Sequence, residues 1–161
     1  MKKIFMVLFV IFWMGFIYHN SATIGDESNK KSYSIVNKVD KIKENTEIKN
    51  SIKEHKPINK IESNQKLNRI IRKNAHLFEY LVLGILLCVV LFLCSSIEGK
   101  HKLIYILFIC LFYAVTDEFH QNFVQGRSSS VSDVLIDFSG SVFGIIIYLS
   151  YKKVQQLKGG R

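Results

Sequence analysis

Four apolar runs constrain this chain more than any other feature: Ile4 to Tyr18, Ala75 to Cys94, Leu103 to Val115 and Val131 to Tyr151. A helix on a water-soluble core carries its apolar residues as one stripe, whereas these runs are apolar nearly all round. Lipid is the solvent that suits them, and about 20 residues are needed to cross a hydrocarbon core roughly 30 Å thick. The first run covers only about 22 Å at 1.5 Å per residue. Extending it through His19 to Ala22 completes a span and leaves Trp13 and Tyr18 at interfacial depths. "LIYILFICLFYAV" is also too short alone, so Asp117, Glu118, His120 and Gln121 fall in the final turns of the third span. The fourth span opens with Asp133 and Asp137 before "IIIYLSY". The chain therefore reads as an all-α membrane protein with about four transmembrane helices. Their expected bounds are about 4–22, 72–94, 103–124 and 130–151, with a long polar, basic segment at 23–71. Lys2 and Lys3 ahead of a short apolar run also suit a cleaved signal peptide, but a retained helix is the expectation.

Charge is distributed unevenly. Lys and Arg number 22 against 13 Asp and Glu, and most of the cations lie between Asn20 and Asn74. Within that segment Ile35, Val39 and Ile42 share a helical face, Pro57 should break any helix preceding it, and Leu67, Ile70 and Ile71 resume a stripe. A polar spacer or an amphipathic helix lying on the membrane surface both suit this pattern. In a chain with four spans the positive charge points to anionic lipid or wall polymer, not nucleic acid. Lys2 and Lys3, Lys100 and Lys102, and Lys152, Lys153 and Lys158 all fall at one end of the helices. The positive-inside rule makes that end cytoplasmic, with both termini inside. The basic 20–74 segment then lies outside, against the same rule at Lys66, Arg69, Arg72 and Lys73. Cys88, Cys94 and Cys110 sit in or beside apolar runs and suit buried hydrophobes, not a disulfide framework.

Polar residues inside the spans carry the functional signal. Arg72, His76 and Glu79 recur at i, i+4 and i+7, forming one stripe at the start of span two. Asp117, His120 and Gln121 form a second at the end of span three, and Asp133, Asp137, Gly140 and Gly144 a third at the start of span four. All three belong to the same membrane face, whichever way the chain inserts. An Asp at a helix centre costs roughly 2.5–3.5 kcal/mol on insertion scales, so these groups should turn inward and pair. Arg72 or Arg127 can meet Asp133 or Asp137, and His76 or His120 can meet Glu79, Asp117 or Glu118. Gly140 and Gly144 should let a neighbouring backbone approach closely. "QGRSSSVSD" reads as a turn followed by an N-cap at Ser130 or Ser132. No His-x-x-x-His or comparable spacing occurs, so neither a metal nor another cofactor is expected.

At these residues the chain resembles the VanZ-like family of small bacterial membrane proteins. "RKNAHLFEYLVLG" and "TDEFHQNFVQGRSSSVSDVLIDFSGSVFG" carry the resemblance, and "FWMGFIYHNSA" and "ESNKKSYSIVN" add to it more weakly. Its order and extent imply a single domain over residues 1–161 and a retained first helix. The motif residues it implies are Arg72, His76, Glu79, Tyr80, Asp117, Glu118, Gln121, Gly126, Arg127, Ser128, Asp133, Gly140 and Gly144. Gln125 stands where the family usually has Pro, and Asp137 where it usually has Asn. The resemblance implies an integral membrane protein of the cell envelope, linked through the founding member to low-level teicoplanin resistance.

Three functions remain open on the residues. An outward-facing polar site could bind a lipid-linked wall precursor, a lipid phosphate or the glycopeptide, using Arg72 and Arg127 as forks for phosphate or carboxylate. Its expected lining is Arg72, His76, Glu79, Asp117, Glu118, Gln121, Arg127, Ser128, Asp133 and Asp137. An intramembrane hydrolase or transferase could instead use His76 or His120 as base, Glu118 or Asp117 as its orienter and Arg127 on developing negative charge. A small transporter subunit could relay protons through the carboxylates and His residues. Expected partners are membrane lipids and one of those envelope ligands.

Overall fold

A computed structural model describes residues 1–22, 57–97, 99–125, 127 and 129–159, with side chains in the second helix from residue 70 onward. Four helices account for almost all of them: α1 Lys2–Ser21, α2 Pro57–Cys94, α3 Gly99–Gln121 and α4 Val131–Gly159. No strand occurs among the described residues. Each helix contains a stretch long and apolar enough to cross a membrane. The 20 residues of α1 give about 30 Å at 1.5 Å rise, the thickness of the hydrocarbon core.

The helix ends follow local chemistry. Pro57 opens α2, upstream of the bound near 72 expected from the apolar run; its fixed φ and missing N–H suit the first helical position. Helix α3 begins at Gly99 because Lys100, His101 and Lys102 continue the helix into the polar zone. It ends at Gln121, where Asn122, Phe123 and Val124 donate to carbonyls three residues back and tighten the last turn. Helix α4 runs on to Gly159 through "KKVQQLK", beyond the apolar stretch.

Burial is confined to the seams between helices. Ile17, Tyr80, Leu83, Cys88, Ile106, Cys110 and Ala114 are fully buried. Phe5, Phe12, Ile104, Phe108, Phe112 and Phe119 point outward, the surface expected where lipid is the solvent. Helix α2 packs most extensively against α4, and glycine is the reason. A Cβ at Gly140 would strike the carbonyl of Leu77, one at Gly144 that of Leu81, and one at Gly84 that of Ser141. All three obstacles are backbone, so the helices meet nearly surface to surface.

The two ends of the bundle differ. At one end Lys102 and Lys152 approach the ring of Phe92 at 5.3 and 4.2 Å, and the Phe92 and Tyr148 rings meet at a tilt of 43°. The opposite end gathers the finish of α1, the start of the α2 span, the finish of α3 and the start of α4.

Candidate functional site

Three helix ends and one turn place the polar stripes around a small cavity. It is lined by Arg72, Lys73 and His76 of α2, Glu118 and Gln121 of α3, and Asp133, Ile136 and Asp137 of α4. Its volume, about 20 Å³, holds roughly one water molecule or ion. At its mouth Lys73 Nζ lies 2.6 Å from Asp133 Oδ1, with both side chains about a third exposed. Arg72 lines the same mouth and makes no hydrogen bond or ion pair among the described residues.

Below the mouth the acidic groups are held individually. Asp117, 2% exposed, accepts from Ser21 Oγ at 2.7 Å and from Gln121 Nε2 at 3.3 Å, both on Oδ2. Its Oδ1 is buried without a hydrogen-bond partner. Glu118, 4% exposed, accepts the backbone N–H of Ser130 at 2.7 Å, just ahead of α4. A carboxylate thereby satisfies an amide at the entrance to a helix, where the dipole favours negative charge. Glu79 accepts from Asn20 Nδ2 at 2.7 Å on one oxygen and lies 3.5 Å from His76 Nδ1 with the other. Asp137, 3% exposed, accepts no hydrogen bond among the described residues.

Arg127 ties the turn to the rest. Its guanidinium donates to Gln121 Oε1 at 3.2 Å and to the Asn20 carbonyl at 3.1 Å, closing the end of α1 onto the end of α3. Burial, and after it the neighbouring Arg72 guanidinium, lower the pKa of Arg127 from its ordinary value; it stays a cation at neutral pH. Five carboxyl groups, on Glu79, Asp117, Glu118, Asp133 and Asp137, gather with the cations Arg72, Lys73 and Arg127.

The pairing differs in detail from the sequence expectation. Asp133 meets Lys73, not an arginine. His76 does meet Glu79, while His120 stacks on Tyr18 with centroids 4.3 Å apart and its Nδ1 3.3 Å from the Tyr18 hydroxyl. Gly126 and Ser128 lie outside the described residues. The largest omission concerns α1: Tyr18, Asn20 and Ser21 all reach the polar groups, and Trp13 Nε1 donates to the Glu79 carbonyl at 3.0 Å. Neutral residues at a helix end leave no periodic signal, so nothing in the sequence pattern marked them.

His76, Asp117 and Asp137 each present one ligand-capable atom, and these three atoms lie within 4.8 Å of one another. They come from three helices, which is why no sequence spacing announced them.

Such an arrangement defines a multi-pass helical membrane protein with a charged, largely buried site at one end of its bundle. The VanZ/LLP1 family model matches residues 6–152, nearly the whole chain, and the chain belongs to that family. No curated protein and no solved structure matches it.

Proposed function

We propose that this VanZ/LLP1 protein acts in the cell envelope by binding the phosphate-bearing headgroup of a lipid-linked wall precursor, and so contributes to glycopeptide resistance. The supporting observation is Arg72, a guanidinium at the cavity mouth with no protein partner among the described residues. Arginine left uncommitted beside Lys73 offers a planar fork to a phosphate or carboxylate, whereas Arg127 is already engaged in structure. In this reading both termini lie in the cytoplasm and the site faces outward; Lys102 and Lys152 beside Phe92 at the opposite end support it through the positive-inside rule.

The test uses Arg72→Ala and Arg72→Lys in a susceptible host. Arg72→Ala is expected to remove most of the teicoplanin tolerance given by the wild type and to weaken binding to polyprenyl-phosphate vesicles about 10- to 100-fold. Arg72→Lys should fall between, since one ammonium lacks the fork. Full protection by a normally inserted Arg72→Ala chain sinks the proposal.

A second reading, hydrolysis or transfer on the same lipid-linked substrate, draws on one observation. His76 borders both the cavity and Glu79, the placement of a base beside an orienting carboxylate. Product detected by mass spectrometry after incubation with the precursor would promote it above simple binding.

A further inference from the structure

We propose that His76, Asp117 and Asp137 hold a divalent transition-metal ion at the floor of the cavity. Their ligand atoms, drawn from α2, α3 and α4, lie within 4.8 Å of one another. Metal–ligand bonds of about 2.0–2.2 Å would draw each side chain inward by less than about 1 Å. The adjoining cavity of about 20 Å³ is the size of one ion or water.

Two independent features point to a ligand and not to a mere acidic cluster. Asp137 is 97% buried by its 3% exposure and accepts no hydrogen bond among the described residues. Asp117 is equally buried, and its two oxygens are treated differently: Ser21 and Gln121 both hold Oδ2, leaving Oδ1 unpartnered. Outer hydrogen bonds that fix one carboxylate oxygen and leave the other for the ion are the usual support of a metal ligand. Glu79, 3.5 Å from His76 Nδ1, can orient the imidazole in the same way and leave its other nitrogen to the ion.

One imidazole and two carboxylates suit Zn²⁺ or Mn²⁺ better than a soft metal. Three protein ligands leave a coordination position open toward the mouth, where a phosphate held by Arg72 would complete it. The ion thus deepens the ligand reading of the same cavity, because it adds a second cationic group beside Arg72 for an entering anion to meet.

The experiment needs neither lipid nor antibiotic, so its failure is distinct from failure of that reading. Full-length, tag-free protein in detergent is titrated with Co²⁺, whose visible d–d bands report a protein-bound site, and then with Zn²⁺. One Co²⁺ per chain, displaced by Zn²⁺, is expected. Asp137→Asn and His76→Gln should each weaken Co²⁺ binding at least about 100-fold, exceeding the 10- to 100-fold effect of outer-shell changes. Each variant is checked for helical content and monodisperse elution. Where a variant fails to fold, the wild-type stoichiometry and displacement decide alone. No bound Co²⁺, binding without d–d bands, or binding that survives both substitutions in folded protein overturns the site.

Discussion

At the scale of single residues, buried charge in this protein is managed by neutral neighbours as much as by opposite charge. Asp117 rests on a serine and a glutamine, Glu79 on an asparagine, and Glu118 on a backbone amide. Arg127 donates to a carbonyl and an amide oxygen. Geometry thus matters more than charge at Arg127, because its planar fork reaches two acceptors on two helices. Arg127→Lys is therefore expected to cost roughly 1 kcal/mol of stability, measured as a lower midpoint of thermal unfolding in detergent. An unchanged midpoint would show that the clamp between α1 and α3 is dispensable. Sequence spacing found the ionisable members, since an ionisable residue inside an apolar run is conspicuous. It named an arginine as the partner of Asp133 where the structure has Lys73, because adjacent helical residues such as Arg72 and Lys73 differ by about 100° in direction. Only the register between α2 and α4 decides that.

At the scale of elements, the seam between α2 and α4 fixes that register. Gly140 and Gly144 were visible in sequence as a small-xxx-small pair, but Gly84, which meets Ser141 from the other side, was not. Tyr80 and Cys88 occupy the positions four residues away from it, so no spaced glycine accompanies it. Gly144→Val should push α4 off α2, because its Cβ would strike the Leu81 backbone. A loss of about 1–3 kcal/mol is expected from such overpacking. Gly15→Ala provides the contrast, since nothing stands within 4 Å of the added carbon. It should hold or raise stability by up to about 1 kcal/mol through helix propensity. Both are read from thermal unfolding with side-by-side insertion checks, and equal effects would mean the glycine seam does not set the packing. Helix ends were less legible than helix cores: hydropathy marks where a chain enters lipid, whereas the helices continue past that point at Gly99 and Gly159.

At the scale of the whole molecule, convergence of the polar stripes at one end was legible because alternating spans force it. The share contributed by α1 was not, since α1 carries no ionisable group deep in its span. Topology gives the test at this scale. A chain with Ala in place of its three cysteines, and Cys introduced at Ser129, should react with a membrane-impermeant thiol reagent from outside intact cells. Cys introduced at Lys153 should react only after the cells are opened. The reverse pattern would turn the protein over and place its site at the cytoplasm. The tight α2–α4 seam also bears on how the molecule is made. These two helices are separated in synthesis order by all of α3, so α2 enters the bilayer before its main packing partner exists. Until α4 emerges from the ribosome, His76 lacks the wall of its cavity formed by Asp133, Ile136 and Asp137. Final closure of the bundle is therefore a late step in biogenesis, and a chain stalled before α4 would be an early target for membrane quality control.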